Sequence, residues 1–506
     1  MRNAHFGVKP LMGANRCEHS LQPMLRFSGI RERGTMHWIY GFIVLLFASQ
    51  AQARQPTASI DAFIAEELPA SGAPGIAYAV VDGNDVHTGA QGMLVDGGED
   101  QITPDTPFLI GSVSKSFTAV AVLQLAEAGQ IDLDDEIAQY LPIFADGPSG
   151  QITIRQLLSH TSGYSTVQGN MIHEDRSRSP GELAEHVARI AEWDLAFSPG
   201  ERWEYSNANY HILGLLIERE SGQGYAAYVQ TRILMPLGME NSFVADGGPP
   251  RASAIGHRPW FGGHRPYPLD RTQRVGAPAG GVYSSVNDLA VYMAMLLNGE
   301  DDIISAENKA VMLRPAGDVS PFYGLGWFVD SQAGTVFHGG LVPGSESLLT
   351  LVPSDRSGVV ILVNANSGIG FGETHRLRNG ITALALGFDY EGEGSRTWQR
   401  IAYLSVVTLP LIFAISIVWA WWSRAALRAK SGGFGQFSLW FPLLATGVMA
   451  WLLMFQIPQL FGGTFWTILL FQPDIGWSMM VAAITGPCWA IFRLLVAKSK
   501  PKLPVG

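Results

Sequence analysis

The stretch Phe108-Leu-Ile-Gly-Ser112-Val-Ser-Lys115-Ser-Phe decides the reading of this chain. An apolar segment runs into Gly111, and an apolar helical pattern follows it to near Gly129. Ser112 is therefore expected at a helix N-terminus, where the macrodipole favours an alkoxide. Residues three apart on a helix share a face, so Lys115 reaches the Ser112 hydroxyl. Burial and neighbouring groups lower a lysine pKa and let the neutral amine act as a base. The spacing alone does not assign this chemistry. Ser499 to Lys502 repeats S-x-x-K in the basic tail, and a capping serine before a surface lysine gives the same letters. The lysine count adds an argument. Between Arg54 and Arg400 there are 19 arginines and only two lysines, Lys115 and Lys309. Arginine cannot usefully be deprotonated, so a lysine kept at this position suits a base.

Two further patterns carry polar chemistry. Pro199-Gly-Glu-Arg-Trp-Glu-Tyr205-Ser-Asn207 precedes the apolar helix around Ile212 to Ile217. A tyrosine phenol can shuttle a proton to a leaving group. An Asn amide can orient both a substrate carbonyl and a nearby lysine. Taken alone, the same letters fit a tyrosine packed at a helix start. The other pattern is Val336-Phe-His338-Gly339-Gly340-Leu341. A strand ending in two glycines admits a ligand close to its backbone and can supply an oxyanion-hole N–H. A simple turn fits these letters too.

Taken together and in this order, the three patterns resemble the serine β-lactamase and penicillin-binding-protein superfamily, in its class C-like branch. That branch includes class C β-lactamases, D,D-carboxypeptidases, D-stereospecific aminopeptidases and related esterases. The surrounding text agrees: Leu157-Leu-Ser-His160-Thr-Ser-Gly163, Pro236-Leu-Gly-Met239, Ala279-Gly-Gly-Val-Tyr-Ser-Ser285 with Asp288, and Tyr323-Gly-Leu-Gly-Trp327. The resemblance covers roughly Ile60 to Leu386. It implies an α/β, β-lactamase-like (D,D-peptidase) fold, with an antiparallel sheet built from both ends of the domain and a helical subdomain. It implies that Ser112 is the acylated nucleophile, that Lys115 and Tyr205 share the base work, and that Asn207 holds substrate. The N–H groups of Ser112 and Leu341 are then the oxyanion hole, and Gly340 lets substrate approach. His338 occupies the first position of the family's K-T-G element, where a lysine usually helps to bind a substrate carboxylate; the resemblance implies that His338 binds substrate there and that His338→Lys would shift preference toward substrates with a free carboxylate. Histidine is mostly neutral at pH 7, so strong β-lactamase or carboxypeptidase activity is not expected. His160 invites a Ser–His triad, which the family lacks, so a structural role at a helix end is expected. Trp203, Trp260, His257 and His264 lie on loops that suit either the site or plain packing. No cluster of His, Asp and Glu has metal-ligand spacing, so neither a metal nor another cofactor is expected.

The body's ends read as strands. Gly75 to Val81 and Val86 to Gly92 flank the turn Asp82-Gly83-Asn84-Asp85 and suggest a hairpin. Thr335 to His338, Ser347 to Val352 and Val359 to Asn364 suggest three more strands, and Thr374 to Leu386 a helix. Strands at both ends of a mainly helical middle point to one α/β domain whose sheet joins the two ends.

Charge divides the chain. Arg54 to Arg400 carries 41 acidic residues against 21 basic ones, whereas the remainder is net basic. An acidic body disfavours nucleic acid as a partner, because phosphates repel it. The body has no cysteine, since Cys17 precedes it and Cys488 follows it. Arginines at 26, 31 and 33, the apolar run His37 to Ala48, and Ala51-Gln52-Ala53 read as a signal peptide cut before Arg54, or as an uncleaved anchor helix. Three apolar stretches, 401–422, 437–456 and 475–495, are each close to the roughly 20 residues that a bilayer requires. Arg424, Arg428 and Lys430, and then Lys498, Lys500 and Lys502, follow the first and third stretches. Positive loops stay in the cytoplasm. Phe461 to Phe471 is apolar but too short to cross, and it reads as interfacial or re-entrant.

The expected organisation is a leader and signal over 1–53, a hydrolase body over 54–395 and a transmembrane region over 396–506. The chain is expected to be a multi-pass protein of the cell (inner) membrane, with its body on the periplasmic or outer side. Its partners are the membrane and a small-molecule or peptide substrate, cell-wall-derived ones included. The expected reaction is acyl transfer to water from an amide, peptide or ester. The competing reading is a catalytically inactive sensor of cell-wall fragments or β-lactams.

Overall fold

The strand Gly75–Asp82 (β1, GIAYAVVD) is apolar on both of its sides, and the fold buries both. The structure is a computed structural model that describes residues 56–174, 179, 181–390 and 392–499. Ala77, Ala79 and Val81 join the main core, which also holds Val120 and Leu123. Ile76, Tyr78 and Val80 face the other way, with Ile60 and Ile64 of Pro56–Ser71 (α1) and with Leu377 and Ile381 near the chain's far end. A strand covered on both faces reads as a continuous apolar run rather than an alternating one.

The hairpin partner of β1 is Asp85–Gly92 (β2), as its sequence suggests. A separate hairpin, Gly256–Trp260 (β3) with Gly263–Tyr267 (β4), stands apart from the main sheet. Phe328–Asp330 (β5), Thr335–Val342 (β6), Ser345–Val352 (β7) and Ser357–Val363 (β8) complete that sheet. Its order is β2-β1-β8-β7-β6-β5, and every neighbouring pair is antiparallel. Ile76 pairs with Val363, so the two ends of the domain meet in the sheet's middle. The strand expected to stop at Gly339-Gly340 instead runs on to Val342, because both glycines stay in register with β7, opposite Leu348 and Ser347. Over the sheet lie Ser114–Glu127 (α2), Asn207–Ser221 (α3) and the rest of the helical middle; His375–Leu386 (α4) packs with α1 on the opposite face.

Beyond the body, three helices among the described residues are long and apolar enough to cross a membrane. They are Thr397–Trp422 (α5), Gly432–Trp451 (α6), which continues to Leu460, and Pro473–Lys498. Between the last two, Phe465–Phe471 (α7) is a short helix docked on the body. The Arg258 guanidinium donates to the Leu470 carbonyl (2.8 Å), and the Asn366 amide to that of Phe471 (3.3 Å). Pro473–Lys498 (α8) is tied in by Asp474, which accepts from the Phe261 N–H (2.9 Å) and from the Tyr403 hydroxyl (2.7 Å). At the opposite end of the bundle, Arg428 donates to Ser499 Oγ (2.8 Å). The expected leader and signal, residues 1–53, lie outside the described residues.

Candidate active site

Ser112 sits in a single 3-10 turn, Gly111–Val113, that leads directly into α2. The sheet grips this turn. Ser347 Oγ donates to the Ile110 carbonyl (2.7 Å), and Ser345 Oγ to that of Leu109 (3.1 Å). Two glycines allow the approach. Gly111 has φ +54°, and a Cβ on it would lie 2.9 Å from the Leu341 nitrogen. A Cβ on Gly340 would lie 2.0 Å from the Ile110 carbonyl oxygen. No side chain fits at that distance. The backbone of β6 is thereby held against the Ser112 turn, with the Leu341 N–H beside it.

Lys115 is fully buried. Its Nζ donates to the Ala279 carbonyl (2.7 Å) and to Asn207 Oδ1 (2.8 Å), and it lies 3.2 Å from Ser112 Oγ. Among the described residues no carboxylate pairs with it. Burial, which disfavours the charged form, holds its pKa well below the usual lysine range. Lys309, the body's other lysine, is the contrast. It is also buried, but its Nζ pairs with Asp302 at 2.6 Å. Both lysines that this arginine-rich body retains are thus enclosed, and only the one beside Ser112 lacks an anion.

Asn207 begins α3 with its amide turned so that Oδ1 accepts from Lys115 and Nδ2 donates to Asn170 Oδ1 (2.9 Å). Tyr205, two residues earlier, brings its phenol to the Ser112 hydroxyl. Burial, partly offset by that hydrogen bond, pushes the phenol pKa above its ordinary value, so it keeps its proton. Its ring also lies 4.9 Å from Lys115 Nζ.

His338 is placed differently from the sequence-based expectation. It is 1% exposed, its ring centroid lies 6.3 Å from that of Tyr205, and it is not part of the cleft wall. Its Nε2 meets the Tyr323 hydroxyl (3.2 Å) and its Nδ1 the Gly339 carbonyl (2.8 Å). Burial first, then the positive charge of Lys115, pushes its pKa down to about 3. A neutral imidazole enclosed by Tyr323 and Phe328 offers no open face to a substrate carboxylate, so the direct contact read from the sequence does not match its position. His160 takes the structural place expected of it. At φ +61° after a short helix, its Nδ1 faces the Ser206 N–H (3.2 Å) and the Asn209 amide (3.0 Å). Trp203 packs against Phe322 and Tyr323, His257 is bonded to the Asp96 N–H and the Asn364 carbonyl, and His264 meets the Asn366 carbonyl. These three residues and Trp260 lie outside the cleft wall.

The cleft opens from Ser112 and is lined by Asn207, His211 and Leu341, by a wall from 245–283 that includes Arg271 and Gln273, and by His173 with Leu470 and Phe471 of α7. His211 is buried at its back, with neither ring nitrogen hydrogen-bonded. Sequence reading did not single out Asn170, His173, His211 or Phe471. Only Tyr323, in the quoted Tyr-Gly-Leu-Gly-Trp segment, carried a signal. Among the described residues no group of three or more His, Cys, Asp or Glu side chains is placed to hold a metal.

Against this geometry the comparisons with known proteins are direct. The Beta-lactamase family model matches residues 60–384, well over half of the chain. The chain belongs to the beta-lactamase family. Its sequence is 30% identical over 319 residues to Protein flp of Staphylococcus aureus (strain MRSA252), covering 61% of this chain and 63% of flp. This beta-lactamase-family chain thus spans about 63% of the length of such curated relatives. Among solved structures it is similar to the octameric penicillin-binding protein homologue from Pyrococcus abyssi, with 27% identity and a TM-score of 0.58 over 66% of this chain and 78% of that one. It is also similar to a D-stereospecific amidohydrolase from Streptomyces, with 26% identity and a TM-score of 0.52 over 66% of this chain and 99% of that one. These beta-lactamase-family likenesses support activity of the serine hydrolase type.

Proposed function

We propose that the chain is a membrane-anchored serine hydrolase that opens an amide, peptide or ester through an acyl-enzyme on Ser112. One observation carries the reading: the buried Lys115 amine, without a carboxylate partner, stands 3.2 Å from Ser112 Oγ.

In this reading Lys115 is neutral and takes the Ser112 proton as Oγ attacks the substrate carbonyl carbon. The N–H groups of Ser112 and Leu341 bind the oxyanion that forms. Collapse of the tetrahedral species breaks the bond to the leaving amine or alcohol. That group leaves with a proton from the Tyr205 phenol, which Lys115 restores. Water then attacks the acyl carbon, gives a proton to the same pair of groups and releases the acid. Ser112 Oγ regains its proton in that step. Asn207 holds Lys115 on one side and substrate on the other, and Gly340 keeps the strand edge open. His338 acts through Tyr323 and Tyr205, as a positioning residue.

The membrane reading rests on the three apolar helices and on charge. Arg424, Arg428, Lys430 and Lys498 gather at the bundle end away from the body. Basic ends stay inside, which puts the body on the periplasmic or outer side. Residues 1–53 are then leader and signal, 54–395 the hydrolase and 396–506 the anchor.

The test is turnover by the purified full chain of a panel of esters, D-amino-acid amides and β-lactams, beside Ser112→Ala. Hydrolysis of at least one class, abolished in the variant, is expected. A folded wild type that hydrolyses none, or a variant that retains the rate, overturns the proposal.

A further inference from the structure

The cleft at Ser112 is not built from the hydrolase body alone. Leu470 and Phe471, which connect the second and third apolar helices, form part of its wall. The joint is specific. His173 Nδ1 meets Thr467 Oγ1 (3.3 Å), and its ring packs edge-on against Phe471 with centroids 5.1 Å apart. The Asn170 amide donates to the Gly462 carbonyl (2.8 Å), and Asn170 also accepts from Asn207. An unbroken chain therefore runs from Gly462 through Asn170 and Asn207 to Lys115.

Arg271, Thr272 and Gln273 make part of the cleft's lining polar, but its neighbourhood toward α7 is apolar. Leu341 is 52% exposed and lines the same cleft as Ser112, Leu470 and Phe471. Just beyond them Leu460, Phe461 and Trp466 are exposed where the second apolar helix ends, and Phe261 is exposed on the tip of the β3–β4 hairpin. Aromatic and aliphatic side chains at the outer ends of spans belong at the water–lipid boundary. The mouth of the cleft and this boundary share one short helix, α7.

We propose that the substrate of this site is a membrane-borne amphiphile: an amide or ester whose reacting carbonyl sits at Ser112 and whose apolar chain runs over Leu470 and Phe471 into the bilayer interface. A water-soluble substrate needs no contact with the anchor. An amphiphile held by its tail in the outer leaflet reaches Ser112 only where the cleft opens onto lipid, and α7 provides that opening. The proposal rests on the hydrolase and membrane readings above and adds the substrate class.

The test uses the full chain in lipid nanodiscs and a series of alkyl fluorophosphonates with tails of two to twelve carbons. The readout is the rate of covalent labelling at Ser112, located by peptide mass. The expected rate rises with tail length by up to about fourfold per methylene, the worth of a buried CH₂. In Phe471→Asp the rise is expected to flatten. A diazirine at the end of the twelve-carbon tail, photolysed in the wild-type adduct, is expected to cross-link to 465–471. No labelling by any probe in folded protein defeats the hydrolase reading itself. Labelling that is flat or falls with tail length leaves that reading standing and overturns this proposal. So does a slope unchanged in Phe471→Asp, which assigns the rise to lipid partitioning. The cross-link needs no variant: attachment only to the wall formed by 245–283 also overturns the tail's path.

Discussion

The side-chain amide of Asn207 donates to Asn170 Oδ1 at 2.9 Å, and this bond fixes which way Asn207 faces. With Nδ2 committed there, Oδ1 is turned to Lys115 Nζ at 2.8 Å. The result is a lysine held by two oxygens, those of Asn207 and Ala279, and aimed at Ser112.

Asn170 is therefore expected to matter although it touches no reacting atom. Asn170→Ala removes two hydrogen bonds, the one from Asn207 and the one to the Gly462 carbonyl; loss of the first, worth about 1 kcal/mol, should lower the acylation rate roughly five- to tenfold. The fall should appear in kcat rather than in KM, because Lys115 loses its aim while the cleft wall remains. Pre-steady-state acylation, with the melting temperature as control, checks it. An unchanged rate in the folded variant removes Asn170 from the machinery.

Lys115→Arg replaces the neutral amine with a guanidinium that does not give up its proton, so the base is lost and activity should fall by roughly a hundred- to ten-thousand-fold or more. The pH profile follows from the direction of the Lys115 shift. Its pKa in the folded chain lies well below the usual lysine range, through burial. The neutral, active form is lost as pH falls through that folded value. The acid limb of the rate should accordingly lie well below pH 10.5, the ordinary lysine value. Between the folded and unfolded values the unfolded chain binds the extra proton, so the lysine's contribution to stability rises with pH across that window. A limb at the ordinary lysine value contradicts the assignment.

His338→Lys tests the burial of that position. The sequence-based expectation is a shift toward substrates with a free carboxylate. The structure replaces it. An ammonium would be enclosed among Tyr205, Tyr323 and Phe328, and among the described residues no carboxylate pairs with that position. Uncompensated burial of a charge is strongly destabilising, so the melting temperature and the acylation rate should both fall, on neutral and carboxylate-bearing substrates alike. The ratio of kcat/KM for a carboxylate-bearing substrate over its neutral ester checks this. A rise in that ratio at unchanged stability would restore the direct-contact reading.

The topology has its own test. Reporter fusions after Lys430 and after Lys502 should both read as cytoplasmic, and a fusion after Pro458 as external. An external reading at Lys502 implies a fourth crossing and contradicts a docked, non-crossing α7.

How far the sequence reached follows from what each feature depends on. Ser112 and Lys115 were legible because helix geometry alone brings residues three apart together. β1 and β8 were legible because two apolar, β-branched runs at opposite ends have to be buried somewhere, and they pair with each other. Asn170 was not legible. Its partners lie 37 and 292 residues away, and no local pattern announces them. His338 was found, but its burial was not, because Tyr323 and Phe328 enclose it only after β5 pairs with β6. The sequence of 461–471, which contains α7, reads as an interfacial or re-entrant stretch. Its docking on the body depends on Arg258, Asn366 and His173, which sequence reading had no reason to link to it.

The most direct measurement is covalent. The purified full chain is treated with a fluorophosphonate and, separately, with a fluorescent penicillin, and adducts are located by peptide mass in the wild type, Ser112→Ala and Lys115→Arg. The account expects one adduct on Ser112 with at least one probe, absent in Ser112→Ala and formed far more slowly in Lys115→Arg. No adduct on folded wild-type protein, or an adduct on another residue that survives in Ser112→Ala, would contradict it.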